Sequence, residues 1–292
     1  MALAPPLVSL LVLVRDGAAT LPRALETLKS QTYENLEIIL SDNDSSDATP
    51  EIMKAFAATE PRSRYVRQRR MPFAEHFATL ARTAKGKYLV FCAADDERNA
   101  AFVESLVESL ERDPAAVLAF GRVITSDPDG RRQREVPFRF ESGTRRRRLQ
   151  RAAWLNCYHI YGMWRTSVLQ AIRVRECTYC PDRQIMMSAT CRGTFIRNDG
   201  AVLTSYEIPK TDAERAEYQS YRPLPFFYKT SMISTAAIAI IEAGAGLDAA
   251  LWGASMLAVR ETFLTLKPRH HLRRASTALK SLVSGLEPDE HQ

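Results

Sequence analysis

Unbroken apolar runs alternate with amphipathic stretches along the first 124 residues. "LVSLLVLV" (7–14), "LEIILS" (36–41), "KYLVFCA" (87–93) and "AVLAFGRVI" (116–124) are continuous runs of strand length, and "RYVRQ" (64–68) is a shorter one. Between them, apolar residues recur at helical spacing. Leu21, Leu25 and Leu28 mark one helix, and a second is expected from about Pro50 to Ala58, capped by Asp47 or Thr49. "FAEHFATLARTA" (73–84) gives a third, and Phe102, Val103, Leu106, Val107 and Leu110 form the stripe of a fourth that Pro114 helps to stop. Strands without polar alternation are buried on both faces, so the pattern predicts an open parallel α/β sheet covered by helices. Ligands of such sheets bind beyond the carboxyl ends of the strands. "SDNDSSD" and "ADDERN" both stand there.

The pattern changes after residue 124. "DPDG" is a turn signal, and from about Asp127 to Arg151 the chain is rich in Arg, Pro and Gly, which predicts a mobile or excursion segment. Residues 193–208, "GTFIRNDGAVLTSYEI", read as two short strands joined by a turn at "NDG". Residues 209–225, with three prolines, read as a linker, and the chain from Phe226 as two or three helices, the last basic and amphipathic.

Composition narrows the class without naming a function. Hydrophobic residues make up 46% and charged residues 25% of the 292, which suits a folded globular chain. The apolar N-terminal run follows no positive charge and holds Pro5 and Pro6, so it reads as a buried strand rather than a leader. No run approaches the roughly 18 apolar residues of a spanning helix. Five scattered cysteines argue for reduced thiols and a cytoplasmic setting rather than a disulfide framework. The net charge of +6 is concentrated, since nine arginines face two glutamates between Arg131 and Arg151.

Asp95 and Asp96 end an apolar run, and adjacent carboxylates repel unless a cation or a donor set relieves them. A hard divalent ion, Mg²⁺ or Mn²⁺, is commonly held by one or two carboxylates plus substrate phosphates. The alternative is that one of the pair caps the helix beginning near Asn99. "SDNDSSD" taken alone is ordinary turn chemistry. The two clusters weigh more together, each at a strand end of one α/β unit.

The ordered segments "PLVSLLVLVRDGAATLPRALETLKSQTYENLEIILSDNDSSDATPEI", "RYVRQ" and "AKGKYLVFCAADD" resemble the family 2 glycosyltransferases, closely over residues 6–124 and more weakly over 155–208. The resemblance implies a GT-A fold: a Rossmann-like, mostly parallel α/β sheet sandwiched by helices. It divides the chain into a glycosyltransferase domain (1–208, with a nucleotide-sugar half 1–124 and an acceptor half 125–208) and a helical C-terminal extension (209–292). It also implies an inverting enzyme using a nucleoside-diphosphate sugar, UDP- or dTDP-type, a hydroxyl acceptor (glycan, lipid-linked or small molecule) and Mn²⁺ or Mg²⁺. Carried onto matching positions, Asp42 accepts from the nucleotide base with Asp44 beside it, Val14, Arg15 and Asp16 line base and ribose, and Asp95 binds the metal with Asp96 adjacent. His76 is carried over with the nucleotide-sugar-binding residues, and the chain departs from the family at Leu13, Arg15 and Asp16, at His76 itself, where relatives often carry Asn or Arg in the third helix, and at Ala93, the first acidic position of the metal motif.

In the acceptor half, "GMWR" and "GTF" resemble the family's "GxxR" and "GxF", which places Asp182 at the general-base position. Asp182 following Pro181 also suits a helix start, and Asp199, Glu176 and Glu97 are the competing bases. Cys177 and Cys180 lack the second pair of a zinc finger, and core packing is the simpler reading. The arginine segment suggests a solvated loop before it suggests nucleic acid, because no aromatics interleave it. A rival class remains: a non-catalytic sugar-nucleotide-binding or RNA-binding protein using Arg131–Arg151. The basic tail points to peripheral contact with the inner membrane face or to homodimerisation.

Overall fold

The computed structural model describes residues 4–137, 143–154, 157–174, 181–206, 236–238 and 240–265. The predicted apolar runs form β1 (Val8–Val14), β2 (Leu36–Asp42), β3 (Ser63–Arg67) and β4 (Tyr88–Ala93), joined by α1 (Leu21–Lys29), α2 (Thr49–Thr59) and α3 (Phe73–Thr83). β1 pairs in parallel with both β2 and β4, and β2 with β3. Beyond β4 come β5 (Asp96–Arg98), α4 (Phe102–Arg112), β6 (Ala116–Ser126), β7 (Gln133–Glu135), α5 (Arg145–Trp154), a 3₁₀ turn at Cys157–Tyr161, β8 (Met163–Arg165), α6 (Thr166–Gln170), α7 (Pro181–Arg192), β9 (Thr194–Tyr206) and α8 (Leu247–Thr265). The sheet order is β3-β2-β1-β4-β8-β6-β9-β5, with β7 on the free stretch of β6. This second half is mixed: β6 and β9 run parallel, whereas β8, β5 and β7 pair antiparallel.

Period-two alternation sends each strand's side chains to two cores. Leu10, Val12, Ile38 and Leu40 join Leu21, Leu25, Met53 and the α4 stripe on one face. Leu11, Ile39, Leu89 and Phe91 join Phe77 and Leu80 of α3, Leu149 of α5 and Ile185–Met187 on the other, and Ala249, Ala250 and Leu257 of α8 belong to that same core. The C-terminal helix is therefore packed onto the sheet domain through α5 and α7. The expected linker at 209–225 and the basic last helix lie outside the described residues.

Two local expectations and one alternative are overturned. The "NDG" segment turns no hairpin; β9 runs on as one strand beside β6, whose register jumps from Phe120↔Arg197 to Arg122↔Val202, so residues 198–201 bulge out. Asn198 holds the bulge by donating to Ser105 O (2.8 Å) and Ser109 Oγ (2.9 Å) of α4. Neither Asp95 nor Asp96 caps α4; the side chain of Gln31 accepts from Val103 N–H at 3.0 Å instead. The arginine run is helical in α5, where Leu149, Ala152 and Ala153 are buried. Arg148 Nε reaches the carbonyl of Thr190 at 3.2 Å and Arg145 Nη1 that of Ala245 at 3.3 Å, so part of this charge serves helix ends.

Arg165, the arginine of "GMWR", is a structural node. Its guanidinium donates to Ala116 O (2.7 Å), Leu110 O (2.6 Å) and Asp113 O (3.1 Å), tying the end of α4 to the start of β6. A Cβ at Gly162 would stand 2.5 Å from Ala119 O, so only glycine lets β8 approach β6 this closely.

Candidate active site

The parallel register puts the ends of β2 and β4 on either side of the end of β1. Val14 is level with Asp42, and Leu13 with Ala93. At the usual strand spacing, the two carboxylate-bearing ends stand roughly 10 Å apart across β1. Only Ala94 and Asp95 separate β4 from β5, although β8, β6 and β9 intervene in hydrogen-bonding order. Three peptide steps span at most about 11 Å. The sheet must therefore curl until its far edge returns to β4, and Asp95 lies at that closure.

On the β2 side, Asp42 is fully buried, and its oxygens accept from Ser45 N–H at 2.8 Å and from the Tyr65 hydroxyl at 3.1 Å. Arg67, level with Asp42 on β3, stands 4.0 Å from Oδ2 and donates to Asp44 Oδ1 at 2.8 Å. Asp42 is thus an organiser of its own loop as well as a potential acceptor. Tyr65 and Arg67 were passed over as ordinary strand residues; their signal was their register, two and four residues into "SRYVR".

The β1–α1 and β2–α2 loops are bound into one body. Asp16 Oδ1 accepts from Ser46 N–H (2.8 Å), and Asp16 N–H donates to Ser45 Oγ (2.9 Å). Gly17 N–H donates to Thr49 Oγ1 and Ala18 N–H to Asp47 Oδ2, each at 2.9 Å. Asp47 also accepts from Thr49 N–H, so it braces the start of α2 as well as the facing loop, and its carboxyl is held below the ordinary range by these bonds in spite of partial burial. Asp16 and Asp44 adopt left-handed φ of 51° and 60°, a conformation Asp tolerates better than most residues. A Cβ on Gly17 would lie 2.7 Å from Val14 Cγ1 and 3.1 Å from the Cβ of Ala94, so glycine also lets this loop abut the Asp95 loop.

His76 lies beneath this floor. It is 3% exposed and shares a 2.7 Å hydrogen bond between Nε2 and Ser41 Oγ. Burial lowers its pKa to about 4, against the opposing attraction of Asp42, so the ring is neutral at neutral pH. Among the described residues its hydrogen-bond partner is the β2 serine, which places His76 beneath the loops expected to contact a donor rather than on their surface.

Asp95 and Asp96 differ sharply. Asp95 is half-buried at the opening, whereas Asp96 is 1% exposed and begins β5 opposite Ser205. Desolvation raises the Asp96 pKa to about 6, eased by Arg98 and by a hydrogen bond with Ser205, and its Oδ2 accepts no hydrogen bond from the protein. Arg98, on the same side of β5, donates to Phe91 O at 3.0 Å and keeps Nε and Nη1 unpaired. One accessible carboxylate backed by a buried carboxylate oxygen without a donor suits a hard cation whose remaining ligands are phosphate oxygens. Among the described residues no group of three or more His, Cys, Asp or Glu converges on a metal position, so the protein alone supplies a sparse set.

Asp182 stands half-buried in the first turn of α7, on a separate element from this strand-end group. Of its competitors, Glu97 is bound to Arg23 at 2.7 Å and Asp199 is paired with Arg197 on the β9 bulge. Glu176, Cys177 and Cys180 lie outside the described residues, while Cys92 is a buried free thiol.

The sequence profile of glycosyl transferase family 2 matches residues 9–172, which spans β1 to the end of α6. The chain belongs to glycosyl transferase family 2. It is 29% identical over 125 residues to the glycosyltransferase GlyG of Streptococcus pneumoniae, covering 42% of each chain. It is 27% identical over 125 residues to the chondroitin synthase of Escherichia coli, covering 43% of this chain and 18% of that one. The chain thus spans less than half the length of these curated relatives. Its fold is shared by S. aureus TarS residues 1–349 in complex with UDP-GlcNAc (TM-score 0.65, 15% identity, 91% of this chain and 77% of that one). The mannosyltransferase PcManGT of Pyrobaculum calidifontis, in complex with GDP-Man and Mn²⁺, is similar at TM-score 0.55 and 17% identity, over 98% of this chain and 82% of that one. Both likenesses support the GT-A architecture expected of the family 2 glycosyltransferases.

Proposed function

We propose that this chain is an inverting glycosyltransferase that moves a sugar from a nucleoside diphosphate, of UDP or dTDP type, to a hydroxyl acceptor. The observation that carries the reading is the placement of Asp42 and Asp95 across the end of β1, at the closure of the curled sheet. Family membership and the sugar nucleotides named with TarS and PcManGT support it.

In this reading Asp42, held rigid by Ser45 and Tyr65, accepts from the nucleotide base, and the loop pair around Val14, Arg15, Asp16 and Asp44 frames base and ribose. Asp95, with Asp96 behind it, would hold Mn²⁺ or Mg²⁺. A bound cation supplies neutralisation of the charge that develops on the departing diphosphate. Asp182 is assigned to take the proton of the acceptor hydroxyl as that oxygen attacks. One displacement assisted by one base reverses the anomeric configuration. Against the RNA-binding rival stands the engagement of two of the segment's nine arginines, Arg145 and Arg148, with backbone carbonyls.

Purified protein with Mn²⁺ is expected to release nucleoside diphosphate slowly from one sugar nucleotide. Asp95→Ala is expected to abolish that release while keeping the parent's thermal midpoint. Turnover by Asp95→Ala equal to the parent's, or salt-sensitive RNA binding with no donor turnover, overturns the assignment.

A further inference from the structure

Among the described residues, large exposed apolar side chains concentrate at one corner of the C-terminal helices. Leu247 and Leu251 are 66% and 61% exposed, and Ile238 and Ile241 of the preceding helical residues are 39% and 47% exposed. Leu247 and Leu251 are four residues apart on α8 and share a face. Ile240 packs inward, its Cδ1 so near Gly253 that a Cβ there would lie 2.5 Å away, which fixes this short helical stretch against α8. The exposed residues are not loose ends; they stand on a framework whose other side is core.

The same turns of α8 are fastened to the arginine-rich start of α5. Trp252 Nε1 donates to Arg146 O at 3.3 Å, Arg145 Nη1 donates to Ala245 O at 3.3 Å, and the Arg146 guanidinium lies 5.9 Å over the Trp252 ring. Arg146 stands 4.0 Å from Asp248, with both side chains about two-thirds or more exposed, so Asp248 and the exposed Glu242 set two negative charges at this corner against exposed Arg145, Arg146 and Arg147. Leucines projecting from a packed helix beside arginines on a neighbouring one give this surface an apolar centre with a cationic rim.

We propose that this corner docks on an anionic phospholipid bilayer, with Leu247 and Leu251 entering the acyl boundary and Arg146 and Arg147 among the headgroup phosphates. Charge complementarity selects this occupant. A second copy of the chain would cover the leucines without calling on the arginines. A nucleic acid would use the arginines but leave the leucines exposed. The inference stands apart from the sugar chemistry and is read without it.

The test is co-sedimentation of the full chain with vesicles of phosphatidylcholine alone and with about a third phosphatidylglycerol. The parent is expected to bind the anionic vesicles, less so as salt rises, and to leave the neutral ones. Leu247→Asp with Leu251→Asp is expected to lower that affinity at least about tenfold, and Arg146→Gln with Arg147→Gln to do likewise. All four side chains are exposed, so the thermal midpoints are expected to match the parent's; the arginine pair serves as the second variant if the leucine pair unfolds. Absence of parent binding overturns the proposal, as does equal binding to neutral vesicles. Undiminished binding by the folded variants overturns it in favour of the basic tail, and a leucine variant that converts a dimer to a monomer overturns it in favour of a protein interface.

Discussion

His76 makes the stability of this chain depend on acid in a calculable way. Its folded pKa is about 4, against an ordinary value of 6.5, because burial disfavours the charged ring more than Asp42 favours it. Above about pH 6.5 the ring is neutral in both folded and unfolded chains, and the shift has no effect. As pH falls toward 4, the unfolded chain binds a proton that the folded chain refuses, so stability is lost at about 1.4 kcal/mol per pH unit. The full loss below pH 4 is about 3 kcal/mol. His76→Gln keeps a polar partner for Ser41 and removes the titration. Urea unfolding of parent and variant, stepped from about pH 7.5 to about pH 4.5, should therefore give a stability difference that is constant at the top of the range and then shifts toward the variant. Two profiles running parallel through the whole range would refute the claim that His76 is a neutral buried base.

Gln31→Ala should cost about 1–3 kcal/mol in chemical denaturation, because it removes the acceptor of Val103 N–H and the donor to Asn99 O at 2.9 Å. Arg165→Met should destabilise by about 3 kcal/mol, with Arg165→Lys recovering only part, since one ammonium cannot serve three carbonyls that a forked guanidinium reaches. Gly17→Ala should cost about 1–2 kcal/mol in stability and weaken the thermal shift given by nucleoside diphosphate, because the added methyl meets Val14 and Ala94 where two loops abut. An unchanged shift would separate Gly17 from donor binding.

The first half of the fold was legible because each of its strands is buried on both faces and each helix carries one apolar stripe, patterns that sequence alone displays. The placement of Asp42 and Asp95 at strand ends was legible for the same reason: they follow those runs directly. The sheet order was not, since β8 and β5 are three residues each and their pairing depends on partners far along the chain. Leu149, Ala152 and Ala153 carry a helical spacing within and just after the arginine run, but the charge around them masked it. Asp96 misled for a physical reason. An aspartate before a helix suits a cap, and its burial becomes tolerable only when Arg98 and Ser205 arrive from β5 and β9. Asn198 misled in the opposite direction, spending turn chemistry on anchoring a bulge to α4 rather than reversing the chain.

Under the proposed function, the crosslinked loop pair at the end of β1 and β2 changes what an arriving nucleotide must accomplish. Flexible segments that order on contact subtract conformational entropy from affinity. Here Asp16, Ser45, Ser46, Asp47 and Thr49 have already spent that freedom during folding. A base that binds at this ledge, as proposed, would meet fixed geometry rather than an adaptive closure. The same rigidity makes the ledge intolerant, because loosening either loop slackens both.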